Sequence, residues 1–180
     1  MSSMVRALYG GSFDPPHFGH QMAILYLLEG GYADEVRVIP CFDHPFGKEL
    51  SPFPLRLSYC EALVRPFGGR AVVDPIEETL ARPSYSYRTA ESLAARFPED
   101  QLRWIIGSDA AQAADQWAES DRLQRVAPFL VLARKGAPPD KNQAPLVLPE
   151  VASRDLRQRL AQGENLKGWI PESVLTRLNN

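Results

Sequence analysis

Two histidines three residues apart, His17 and His20, stand at the end of the run Gly10-Gly11-Ser12-Phe13-Asp14-Pro15-Pro16-His17-Phe18-Gly19-His20. At helical spacing the two imidazoles share one face. The glycines ahead of them let the backbone approach a ligand closely, and Gly19 leaves room between them for a phosphate or ribose. Such a set can donate hydrogen bonds to a phosphate whose charge changes during reaction. Zinc ligation is the competing chemistry, but no third ligand lies at motif spacing. The only other histidine is His44, in a later loop.

The flanking residues say how this run is held. Met4–Tyr9 is apolar and reads as a buried strand, and Gln21–Leu28 is apolar almost all round and stops at Gly30-Gly31. An all-apolar helix belongs inside a protein, and glycines suit its C-terminal end. The motif is therefore a strand-to-helix turn, the place where open α/β folds hold phosphates against helix N-termini. Glu35–Pro40 reads as a second strand, which completes a βαβ unit. Further strands are expected at Ala71–Asp74, Leu102–Gly107, Phe129–Arg134 and Leu146–Pro149. Helices are expected over Pro54–Val64, after Ser84-Tyr85-Ser86 with Tyr87, Ala90, Leu93, Ala94 and Phe97 on one face, from Ser108 to Trp117, and from about Ser153 to Gln162. Residues 135–145 read as a surface loop. Alternating strands and helices predict a single Rossmann-like α/β domain spanning 1–180, with a mainly parallel sheet flanked by helices.

Composition narrows the partners. The 180 residues are 44% hydrophobic with a net charge of −2, enough for one core and without the basic face that nucleic-acid binding needs. No run is long and apolar enough to span a membrane. The N-terminus lacks a secretory pattern, and Cys41 and Cys60 lack a paired spacing, so reduced thiols in a cytoplasmic protein are expected. The sequence leaves a homo-oligomer open.

The run from Gly10 to His20 resembles the motif of the His-x-Gly-His nucleotidylyltransferases, and most of all that of the bacterial nicotinate mononucleotide adenylyltransferases. The resemblance extends along the chain. Lys48, in His44-Pro45-Phe46-Gly47-Lys48, stands where that family carries a phosphate-binding lysine in a Pro-Pro-His-Lys element. Arg56 falls where the family has a helix arginine, or is a solvated surface residue. Ser84-Tyr85-Ser86 matches a Ser-Tyr-Thr element that helps to hold the pyridine ring. Gly107 and Asp109, with Trp117 eight residues on, match an Ile-Gly-x-Asp…Trp pattern. By that resemblance Asp109 would bind the nucleotide ribose or adjacent groups, and Trp117 would stack on the nicotinate. Ser153 and Arg157 survive from a Ser-Ser-Thr-x-Ile-Arg triphosphate grip, while Ala152 and Arg154 replace hydroxyl residues.

What the resemblance implies is adenylyl transfer from ATP to a nicotinate mononucleotide in NAD biosynthesis. His17 and His20 would be catalytic. Gly10, Gly11, Ser12, Phe13, Lys48, Gly107, Asp109, Ser153, Arg154 and Arg157 would serve ATP and its phosphates. Asp14, Ser84, Tyr85, Ser86 and Trp117 would serve the pyridine mononucleotide. Mg²⁺ would accompany ATP, bound mostly through water, with no protein metal site. The departures at 44–48 and 152–154 leave two alternatives open. One is a relative that acts on nicotinamide mononucleotide or another phosphate. The other is a nucleotide-binding module without turnover.

Overall fold

The computed structural model describes residues 3–134, 142–148 and 151–178. Most of the loop expected at 135–145, and Pro149 of the last expected strand, lie outside the described residues. Six strands form one sheet: β1 Val5–Gly11, β2 Glu35–Pro40, β3 Ala71–Val73, β4 Gln101–Gly107, β5 Phe129–Arg134 and β6 Gln143–Leu148. Their order is β3-β2-β1-β4-β5-β6, and every neighbouring pair is parallel. The chain winds outward from β1 to β3, then crosses back and winds the other way from β4 to β6. The reversal falls between β1 and β4, whose carboxyl ends therefore open a crevice.

Period-two alternation assigns each strand residue to a face. Ala7, Val36, Val38, Ile105, Leu130 and Leu132 point to one cluster, with α1 Phe18–Glu29, α2 Phe53–Val64, α6 Ser153–Ala161 and α7 Glu172–Leu178. Leu8, Ile39, Trp104, Ile106 and Val131 point to the other, with α3 Ser86–Arg96, α4 Ser108–Gln112 and α5 Ser120–Val126. Strands buried on both faces explain the near-continuous apolar runs.

Three expectations change. Helix α1 is not fully enclosed: Ala23, Ile24, Leu27 and Leu28 are buried, but Met22 and Leu25 are 41% and 50% exposed. An uninterrupted apolar sequence hid a one-sided helix. The helix expected to reach Trp117 stops at Gln112, followed by a 3-10 turn over Ala114–Gln116 and extended backbone at Trp117. Of Gln112 to Gln116 only Ala114 is buried, too little apolar surface to carry a helix onward. The last strand starts three residues earlier than its apolar core, Leu146–Leu148, suggests.

These faces can be told apart by substitution. Leu27→Ala should destabilise the fold by about 2–5 kcal/mol, the usual range for an enclosed leucine, whereas Leu25→Ala should stay within about 0.5 kcal/mol. Urea unfolding of both variants checks the difference.

Candidate active site

The motif turn is gripped from outside by its own carbonyl oxygens. The Arg56 guanidinium, on α2, donates to the Ser12 carbonyl at 3.0 Å and to the Ser51 carbonyl at 2.9 Å. Arg157, on α6, donates through Nη1 to the Asp14 carbonyl. Ser153 Oγ donates to the Pro15 carbonyl at 2.9 Å. The Ser51 amide in turn donates to the Asp14 carboxylate at 3.0 Å. A left-handed turn at Phe13, φ 46°, buries its ring against Tyr9 and His20, at centroid distances of 5.5 and 5.0 Å. Positive φ is costly for a bulky residue, and these contacts hold it.

The histidines sit where α1 begins. His17 is the N-cap residue, and its backbone N–H donates to His20 Nδ1 at 3.1 Å. An Nδ1 that accepts leaves the proton of a neutral imidazole on Nε2, so His20 presents Nε2–H as a donor. The two rings stack at 3.8 Å with planes 30° apart. Gly19 clears space for that stack: a Cβ there would lie 3.0 Å from His17 Nδ1 and Cε1. The missing side chain, read as room for a phosphate or ribose, admits the His17 ring and leaves Gly19 on the wall of a cavity. The first amide of α1 was expected to be free, but Phe18 N–H donates to the Trp169 carbonyl at 3.2 Å.

Two cavities meet at the β1–β4 crevice. The smaller, about 180 Å³, is walled by Tyr9, His17, Gly19, His20, Asp109 and Leu132. The larger, about 500 Å³, is walled among others by Ser12, His44, Tyr85, Trp104 and Trp117. Gly10 and Gly107 line both. Gly10 is obligatory for a steric reason, because a Cβ would come within 2.9 Å of the Trp104 indole.

The expected site residues divide. Gly10, Gly11, Ser12, Gly107, Asp109, His17, His20, Ser84, Tyr85, Ser86 and Trp117 all line one cavity or both. Trp117 stands edge-on to Phe129 at 6.1 Å. Lys48 reaches Ser12 Oγ at 3.4 Å. Partial burial and the neighbouring charge of Arg157 hold its ammonium below the ordinary 10.5. Asp14 and Phe13 are buried beneath the turn and line neither cavity. Ser153, expected to serve the ATP phosphates, is the first residue of α6 behind an Ala152 N-cap, and its hydroxyl donates to the Pro15 carbonyl. Arg154 does not join Arg157 in a clamp. Its side chain is 85% exposed and pairs with Asp155.

Three residues were missed or underread. Arg56 is 1% exposed, so the surface reading fails. Its helix has a second apolar flank, which a carbonyl-binding guanidinium joins. Trp104 was read only as strand filler, although its ring forms a cavity wall. Glu77, buried at 6% exposure, carried no motif signal at all. Burial pushes its carboxyl above the ordinary 4.5, while hydrogen bonds from Phe42 N–H and the Ser84 and Thr89 hydroxyls pull the other way. Cys41, also in the larger cavity, has a thiol pushed up to about 12 by burial and Glu77. It stays protonated and is no nucleophile.

A two-lobed cavity at the reversal of an open parallel sheet, with glycine turns at its centre, marks a nucleotide-binding α/β protein. Comparison with known proteins narrows that class. Residues 8–159 match the model of the cytidylyltransferase-like family. A protein of Anaeromyxobacter dehalogenans named "Probable nicotinate-nucleotide adenylyltransferase" is 40% identical over 171 residues, covering 94% of this chain and 90% of the relative. A protein of the same name from Thermus thermophilus is 32% identical over 172 residues, covering 93% and 92%. In fold, the Plasmodium falciparum nicotinic acid mononucleotide adenylyltransferase complexed with NaAD superposes with a TM-score of 0.80 at 18% identity, over 94% of this chain and 92% of that one. The chain belongs to the cytidylyltransferase-like family, among the nicotinate-nucleotide adenylyltransferases.

The two arginines of α6 should separate on substitution. Arg157→Ala removes a charged donor from the Asp14 carbonyl and should cost about 1.5–3 kcal/mol, whereas Arg154→Ala should stay within about 0.5 kcal/mol. Thermal melts of both variants measure this.

Proposed function

We propose that this protein transfers the adenylyl group of ATP to nicotinate mononucleotide, giving the dinucleotide and pyrophosphate in NAD biosynthesis. The observation that carries this reading is a pair of joined cavities with the His17–His20 stack at one and Trp117, Tyr85 and Ser84 at the other. The smaller would take the ATP side and the larger the pyridine mononucleotide.

The 5′-phosphate oxygen of the mononucleotide attacks the α-phosphorus. A P–O bond forms, the bond to the bridging oxygen of the β-phosphate breaks, and pyrophosphate leaves with the electron pair. The attacking phosphate is already an anion, so no enzyme nucleophile is needed. The protein's task is to align two anions and to stabilise charge on the phosphate oxygens. His20 Nε2–H would donate to an α-phosphate oxygen, with its tautomer fixed by the His17 amide. Lys48 and Arg157 would balance charge on the β- and γ-phosphates, and Asp109 would accept from ribose hydroxyls. Trp117 would stack on the pyridine ring. ATP would act as its Mg²⁺ complex. That ion prefers phosphate oxygens and water as ligands. Among the described residues no helix is long and apolar enough to cross a membrane. Both substrates are small and charged, and a cytoplasmic reaction suits them.

His44 would offer one hydrogen-bond donor to an oxygen of the ring substituent. It lines the larger cavity, and its Nδ1 accepts from Phe46 N–H at 3.3 Å, which leaves Nε2–H as a donor. Burial and the charges of Lys48 and Arg56 hold its pKa below the ordinary 6.5, so it is neutral at pH 7 and donates only through Nε2.

A panel assay decides the substrate: purified protein, ATP, Mg²⁺ and candidate mononucleotides, with pyrophosphate release as the readout. Nicotinate mononucleotide should give the highest kcat/KM. Preference for the amide, or for another phosphate, would replace the reading. In the same assay His20→Ala, compared with wild type on protein verified as folded, should lower kcat by roughly 10²- to 10³-fold, the usual loss for one preorganised donor.

Lys48 gives a pH signature. Only the protonated form neutralises phosphate, and its folded pKa is depressed, so ATP affinity should fall as pH rises through a value below 10.5. Lys48→Arg keeps its charge throughout, and its ATP KM should stay flat over the same range. Parallel pH profiles of the two proteins check it.

A further inference from the structure

The wall of the larger cavity is assembled from two segments far apart in sequence, and one buried carboxylate joins them. Glu77 Oε2 accepts from Phe42 N–H at 3.1 Å, just after β2. Its other oxygen accepts from Thr89 Oγ1 at 3.0 Å, on α3. The Ser84 hydroxyl lies beside the same carboxylate, whose charged form it favours, and accepts from Asp43 N–H at 3.1 Å. The Ser84 amide returns a bond to the Asp43 carbonyl at 2.9 Å. Two donors, one from a loop and one from a helix, thus converge on a side chain that is almost wholly buried.

We propose that Glu77 is a positioning residue that clamps the 42–44 loop to the start of α3, so that the mononucleotide cavity is formed before substrate binds. It acts through its partners. One side of the clamp leads into His44, Pro45 and Phe46, and the other into Tyr85 and Ser86, all of which line the cavity. The clamp also explains the placement of Ser84. Its oxygen is engaged by Asp43 N–H, so its contribution is to the shape of the wall. A carboxylate is suited to this junction because it accepts several hydrogen bonds and needs to donate none. Burying it without those donors would be costly, so cavity wall and donors stabilise one another. The predicted effect on the reaction rests on the adenylyl-transfer reading, but the clamp itself does not.

Two measurements on Glu77→Ala, Glu77→Gln and Thr89→Val test it. The first is backbone hydrogen exchange without ligand. Glu77→Ala should exchange faster at Phe42, Asp43 and Ser84, with core strand amides unchanged. Glu77→Gln should stay near wild type, because its carbonyl still accepts from Phe42 and its amide can donate to Thr89. Thr89→Val should give a smaller change in the same direction, and it carries the test if Glu77→Ala does not fold. The second is steady-state kinetics. The KM for nicotinate mononucleotide should rise roughly ten- to hundred-fold in Glu77→Ala, as expected for misplaced binding groups, while kcat and the ATP KM stay within about twofold, the pattern of lost ground-state binding. Glu77→Gln should restore most of the loss. Unchanged exchange at the three amides in both Glu77→Ala and Thr89→Val would overturn the clamp, as would kcat and both KM values shifting together. A wild-type protein without turnover of nicotinate mononucleotide would instead overturn the proposed function, and the exchange rates would still decide the clamp.

Discussion

The site depends on three backbone carbonyl oxygens of the motif turn, at Ser12, Asp14 and Pro15, each held by a side chain from a distant helix. Arg56 reaches the first, Arg157 the second and Ser153 the third. A turn of this kind has no ladder of its own to satisfy its carbonyls, and buried carbonyls left unpaired would favour another conformation. The guanidinium groups supply charged donors, which are stronger than neutral ones. Because α2 and α6 both pack on the same face of the sheet, the turn is fixed only when that face has closed. Folding and site assembly are thus one event. The His17 amide, and through it the His20 tautomer, depends on that closure.

That dependence recasts the departures at the start of α6. Loss of two hydroxyls at Ala152 and Arg154 looked like damage to a phosphate grip. The structure gives Ser153 and Arg157 to the motif turn and leaves Arg154 in solvent. The retained pair is therefore the pair with a job that can be seen without any nucleotide. The exchanged positions are those whose side chains do not hold the turn. Arg157 also sets the charge around Lys48, whose ammonium it pushes toward the neutral form. An anion between the two cations would reverse that push, because it favours the charged form of both.

Much of this was legible in the sequence, because alternation and apolar runs are local signals. Strands β2 and β5 begin and end where the apolar pattern does. The turn and its histidines were marked by glycine and proline, whose backbone preferences are written in residue type. Illegible were the groups whose meaning is a long-range partner. Arg56 and a surface arginine look alike until Ser12, 44 residues away, is brought beneath it. Glu77 lies among Pro75, Ile76 and Glu78 with no spacing to single it out, and only the fold brings the Phe42 N–H and the Thr89 hydroxyl to it. Trp104 shows the same limit, since a strand tryptophan reads as core until Gly10 is seen to be cut back to admit its ring.

The two lobes of the cavity are built on different physical terms. Around the histidines, position is set by backbone and by charged donors, and the wall is polar where phosphates would lie. Around Trp117 and Tyr85, position is set by loops pinned to one buried carboxylate, and the lining is largely aromatic and apolar. The first arrangement is rigid because each of its bonds ties separate elements of the core. In the second, the bonds that tie the 42–44 loop to the 84–89 segment pass through Glu77 or Ser84. A change of acceptor could therefore be accommodated by redrawing the 42–46 and 84–86 loops, leaving the turn and the sheet intact. His44, Pro45, Phe46 and Ser86, all on these loops, line the larger lobe, while Ala152 and Arg154 lie at the start of α6, away from it.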